Sequence, residues 1–251
     1  MGFARNMKAV EFDTGEALTL AMNGIGMRFN GPADHTAHIE VTLAAASIEG
    51  AVKGDYRVLA VMTTWLGLHH DYVNVELLLR LLKPHLEPDS DLPLYWNAMS
   101  FWMAAEGDPR FKKFQKFYKG PRKEFGQGNS WFMLKKVGED KRFCRSRLIL
   151  VEGGLRHRLR DVLTPQELCR WHAVYRTRVQ MSAGFRADMW AALEAEPGLS
   201  ATELARKTLG SYSTAWKVLR DWGVVHGREP GTQETAAVGG DLVPSVGTAG
   251  T

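Results

Sequence analysis

The stretch LSATELARKTLGSYSTAWKVLRDWGVV, Leu199 to Val225, decides how this chain is read. It holds two short helical patterns around a Leu209-Gly210 turn. Ser200, with Glu203 three residues on, forms a capping box that satisfies two orphan amides at a helix start. Ala201, Leu204 and Ala205 give the first helix an inner stripe. Gly210 permits a sharp reversal, and Ser211 or Ser213 is placed to cap the next helix. In that helix Ala215, Val218, Leu219 and Trp222 fall within one apolar arc. Ser213, Trp216, Lys217 and Arg220 occupy the opposite arc. Gly223 is expected to end the helix, with Val224-Val225 starting a strand or folding back.

A helix that presents hydroxyls at its start and long cations further along suits the major groove of duplex DNA. Ser213, Trp216, Lys217 and Arg220 are therefore the expected base-facing residues. The preceding helix would cross the backbone, with Arg206 and Lys207 toward phosphates. Taken together, Glu203-Leu204-Ala205-Arg206, Gly210, Ser213-Thr214-Ala215, Leu219 and Trp222-Gly223-Val224-Val225 resemble bacterial winged-helix transcriptional regulators. The resemblance spans about residues 185–225 and implies that the helix starting near Ser213 is the reader. The sequence departs from the pattern after Val225. HGREPGTQET offers no pair of strands, so any wing is a stub near His226 and Arg228.

The charge distribution points the same way. The 251 residues carry a net +4, but residues 1–109 hold 7 Lys/Arg against 14 Asp/Glu, whereas residues 110–136 hold 9 against 1 and residues 141–186 hold 11 against 3. Such asymmetry suits a polyanion partner. It also suits attraction between the two halves, or contacts between copies. Arg156, Arg158 and Arg160 alternate, so an extended segment would place them on one face toward phosphates. Arg176 and Arg178 extend that set along the next helix. Lysines and aromatics interleave from Phe111 to Tyr118. Those rings can stack unpaired bases, but helical spacing groups most of them together, as core residues would be.

Outside the C-terminal motif the periodicity is mostly helical. Three helices are expected between His35 and Leu86, the third ended by Pro84, and a fourth from about Leu94 to Glu106. Residues 1–35 read as two short strands or a loop, with Asp34 as a helix cap. WFMLKKV (131–137) and RFCRSRLILVE (142–152) read as a β-hairpin. Thr164, Pro165 and Glu167 open a helix that runs on through Met181. The expected fold is mainly α: an N-terminal helical bundle, a small mixed α/β middle and a C-terminal helix-turn-helix or degenerate winged helix. The expected division is an acidic interaction or sensing domain (1–109), a basic linker region with the hairpin (110–163), the helix-turn-helix domain (164–228) and a disordered tail (229–251).

Enzyme chemistry finds little support in the sequence. Walker and dinucleotide fingerprints are absent, and Gly24-Ile25-Gly26 is a lone G-x-G. Asp89-Ser90-Asp91 lies between prolines and reads as a loop. His35, His38, Glu40, His69, His70 and Asp71 would form a metal site only if their helices brought them together. Cys144 and Cys169 suggest no disulfide framework. The chain is expected to be a cytoplasmic, non-enzymatic DNA-binding protein without cofactor, catalytic residue or metal. Duplex DNA is the expected partner, with a homodimer on two half-sites, another protein on the acidic half, and no membrane. The rival readings are an adaptor that docks proteins through the helical module and, less favoured, a metal-dependent hydrolase.

Overall fold

The computed structural model describes residues 10–126 and 131–227. It is mainly helical, with one two-stranded sheet among the described residues. The N-terminal region forms a helix, α1 (Gly15–Gly24), rather than two strands or a loop. Asp34 caps no helix: its carboxylate accepts from the Thr36 amide and hydroxyl in a turn. Then come α2 (Ile39–Ala51), α3 (Tyr56–His69), α4 (Val75–Leu82) and α5 (Leu92–Ala105).

The sequence explains these boundaries. The Asp55 carboxylate accepts from the Arg57 and Val58 amides at the start of α3, and the Asn74 side chain does the same for Leu77 in α4. α2 is sheathed on nearly all sides, so its small residues Ala44, Ala45, Ala46 and Ser47 let neighbouring helices approach closely. Gly50 serves that approach: a Cβ there would lie 2.8 Å from Leu59 Cβ.

The Phe111–Tyr118 segment packs inward. Pro109–Phe117 is a 3-10 helix, and Phe111 and Phe114 are fully buried, with Phe114 stacked on Trp96 at 5.1 Å. Rings three residues apart line up in a helix of three residues per turn, which keeps the lysines between them outside.

The middle departs from expectation. Trp131–Val137 is a helix, α6, not the first arm of a hairpin. The sheet instead pairs β1 (Lys123–Glu124) with β2 (Leu148–Ile149) in parallel, Lys123 opposite Leu148. Met, Leu and Lys favour helix, and the partner that 131–137 would need is taken by the segment before it. The expected long helix from Thr164 is also two: α7 (Pro165–Trp171) and α8 (Ala173–Met181). His172 separates them in extended conformation. Its Nδ1 accepts from the Tyr175 amide, and its Nε2 lies 3.0 Å from the Ala37 carbonyl. That tertiary anchor breaks the helix.

The last three helices are α9 (Phe185–Ala195), α10 (Ala201–Lys207) and α11 (Tyr212–Val225). They enclose a small core of their own, formed by Met189, Leu193, Leu204, Ala205, Ala215, Val218 and Trp222. The main core gathers residues of α1 to α5, α7 and α8, and Phe185 packs against both. α11 continues through Gly223 to Val225, so the expected stop and strand do not form. Leu219 and Trp222 hold that last turn on the core, and His226 stacks on the Trp222 ring at 3.9 Å. Arg228 and the tail 229–251 lie outside the described residues.

Candidate nucleic-acid interface

Both expected capping boxes are present, Thr164 with Glu167 and Ser200 with Glu203. The cap hydrogen bonds hold the Glu203 carboxyl below the usual range, the Ser200 hydroxyl contributing most. Ser211, not Ser213, caps α11, accepting from the Thr214 amide at 3.1 Å. Between α10 and α11 the left-handed residue is Leu209, at φ 53°. Gly210 packs closely on α9: a Cβ there would sit 2.4 Å from Met189 Cε, so the flexible end of that side chain would have to shift. The turn is held from outside. The Arg80 guanidinium of α4 donates to the Leu209 carbonyl and lies 5.2 Å from the Phe185 ring centroid.

This docking leaves the outer face of α11 open. At 100° per residue, Tyr212, Ser213, Trp216, Lys217, Arg220 and Val224 fall within an arc of about 140°. All six are exposed, whereas Ala215, Val218 and Trp222 opposite them are buried. Tyr212 and Trp216 are 52% and 53% exposed. The Arg220 guanidinium lies 5.9 Å from the Trp216 ring centroid and 3.0 Å from the Asp221 carboxylate. Arg186 of α9 reaches the other oxygen of Asp221 at 2.7 Å. Hydrogen bonds from Arg186 first, then Arg220, hold the Asp221 carboxyl low. One carboxylate thus sets two arginines from different helices side by side.

The sequence-predicted residues divide. Ser213, Trp216, Lys217 and Arg220 share the open face. Arg206 and Lys207 are exposed at the end of α10, where cations also complement the helix dipole, and Lys207 pairs with Glu196. Arg176 is exposed on α8 and donates to the Cys169 carbonyl. The arginines of 156–160 do not share a face. Leu159–Asp161 is a 3-10 turn, Arg158 is half-buried and paired with Asp161, and Arg156 borders a hollow beside α6. Arg160 is exposed.

Arg178 requires correction: it is 0% exposed and offers nothing to a phosphate. Its five N–H donors are all taken, by Asp188 Oδ1 and Oδ2, Glu40 Oε1 and Oε2, and the Tyr72 carbonyl. Burial by itself would raise the Glu40 carboxyl, but the Arg178 charge and hydrogen bonds outweigh it and hold the group low.

The histidines and carboxylates of 35–71 do not converge on one centre. His35 stacks on Trp171, and His69 bonds to the Tyr175 hydroxyl and faces the Leu163 carbonyl. His38 lies 3.5 Å from Glu40 in the Arg178 cluster, where burial lowers its pKa. His70 approaches Asp108, whose carboxylate is already bound by Arg110. In both groupings a guanidinium occupies the place a cation would take.

Two residues on or beside the open face were not foreseen. Tyr212 was readable, being one turn before Trp216 and directly after the cap. Arg186 carried no local signal, because its place beside Asp221 depends on how α9 crosses α11. No family model, curated protein or solved structure matches the chain. Among the described residues no helix is long and apolar enough to cross a membrane.

Proposed function

We propose that α9–α11 is a helix-turn-helix module that binds double-stranded DNA, and that the protein acts as a transcriptional regulator by occupying its site. The observation that carries this reading is the open arc of α11. Ser213, Trp216, Lys217 and Arg220 lie on one accessible face, and the N-terminal half docks on the turn instead. In this reading α11 enters the major groove. Ser213, Lys217 and Arg220 meet base edges and phosphates, Trp216 contacts thymine methyls or sugars, and Arg206 and Lys207 hold the backbone. Arg186 extends the cationic edge beyond Arg220. Two copies on two half-sites supply the affinity that one short helix lacks.

Titration of duplex DNA at two salt concentrations tests the proposal. Affinity should fall as salt rises, and Lys217→Ala with Arg220→Ala should abolish most of it. Salt-independent binding, or binding unchanged in the double variant, would overturn the assignment. A second reading, docking of a partner protein, draws on exposed Tyr212, Trp216, Val224 and Val225 along the same helix. A partner bound through these residues, with no duplex affinity, would favour it.

A further inference from the structure

α6 presents a second aromatic and cationic surface, on an element separate from α11. Trp131 and Phe132 are 67% and 65% exposed. One helical turn on, Lys135 and Lys136 stand on the same side, and Lys135 Nζ lies 3.6 Å from the Trp131 ring centroid. Neither lysine pairs with a carboxylate among the described residues. The inner side of α6 places Met133 at the wall of a hollow of about 300 Å³, lined also by Tyr56, Phe125, Leu150, Leu155 and Arg156. Its one carboxylate is Glu152. Tyr56 opens α3, whereas His69 at its far end bonds to Tyr175 of α8. Fourteen helical residues separate those ends by about 20 Å, so the hollow beside Tyr56 lies about that far along α3 from the contact with α8.

The geometry points to a nucleic-acid contact at α6 that takes unpaired bases of a single strand. Flat rings with an open face stack bases without regard to sequence, and adjacent ammonium groups track the phosphates. Lys135 covers one face of Trp131 and leaves the other free. The hollow beside Met133 sets the side chains of Phe125, Leu150 and Leu155 beside Tyr56, Glu152 and the cation Arg156, which suits a base turned inward. Other partners fit less well. A membrane-surface helix separates its apolar and cationic faces, whereas here rings and lysines share one face. The centre of a protein–protein interface is depleted of lysine, whereas these lysines stand amid the rings.

Fluorescence anisotropy of the full chain with a labelled oligothymidylate and its oligouridylate counterpart tests this. The variants are Trp131→Ala/Phe132→Ala, Lys135→Ala/Lys136→Ala and Lys217→Ala/Arg220→Ala, each checked by circular dichroism. Both α6 variants should weaken single-strand binding by about tenfold or more. The α11 variant should weaken it far less than either α6 variant, and the preferred oligomer identifies the strand as DNA or RNA. Loss of single-strand binding in the α11 variant alone, or no affinity for either oligomer at low salt, overturns the proposal. So does binding to phosphatidylserine vesicles, lost with Trp131 and Phe132, in place of oligonucleotide binding. Duplex affinity is read separately, so this assignment and that of α11 fail independently.

Discussion

The guanidinium of Arg178 on α8 is held by Glu40 of α2 at 2.6 Å and by Asp188 of α9 at 2.7 Å, with all three side chains buried. One cation therefore ties the central helix of the main body to the first helix of the C-terminal unit. Its fork geometry permits this, because guanidinium donors meet two carboxylates in one plane. Arg178→Met would leave two carboxylates buried together. Removing one partner of a buried pair costs about 3–5 kcal/mol, so urea denaturation should show a loss of that order. Arg178→Lys should recover only part, since an ammonium cannot span both acids. A stability equal to wild type in Arg178→Met would contradict the assignment.

Burial depresses His69 and His172, each to about 4. Unfolded, both titrate near 6.5. Between these values the unfolded chain binds more protons than the folded one, so stability falls as pH falls. The loss starts near pH 6.5 and levels off below about pH 4. Each imidazole contributes up to about 1.4 kcal/mol per pH unit inside that window. Denaturation midpoints measured from pH 7.5 to 4.5 should decline well before carboxylates titrate. His172→Gln should flatten the slope, and an unchanged slope in that variant would remove His172 from the account.

The separate core of α9–α11 predicts a local response to truncation. Leu204→Ala removes a fully buried side chain and should cost about 2–5 kcal/mol. Hydrogen exchange should quicken in α10 and α11 while α2 and α3 stay protected. Equal loss of protection along the whole chain would mean that the two cores unfold together.

If α11 reads duplex DNA, each phosphate contact removed should lower the slope of log affinity against log salt by about one. Lys217→Ala with Arg220→Ala should therefore lower it by about two. Arg156→Ala should leave duplex affinity unchanged, because Arg156 borders the hollow beside α6. A drop in duplex affinity for Arg156→Ala would place the strand elsewhere.

Local chemistry made much of the architecture legible. Thr164 and Ser200 announced their helices, because a cap is a contract between residues three apart. The open face of α11 was legible too, since 3.6-residue periodicity separates Trp216 and Arg220 from Val218 and Trp222 without reference to any neighbour. The misreadings share one cause. WFMLKKV suits strand or helix, and only the pairing of Lys123 with Leu148 settled which. The helix from Thr164 breaks at His172 because Ala37, 135 residues away, faces its imidazole.

Arg176 and Arg178 mark the limit most plainly. In sequence they are two cations of one basic segment. In the fold one lies in solvent and the other is wholly enclosed by Glu40, Asp188 and the Tyr72 carbonyl. The sequence by itself determined much of the helical periodicity, the two capping boxes and which side of α11 faces outward, all set by neighbours within one or two turns. Only the tertiary structure decided which charges remain free, because a charge becomes structural or available according to partners that the chain brings from far away.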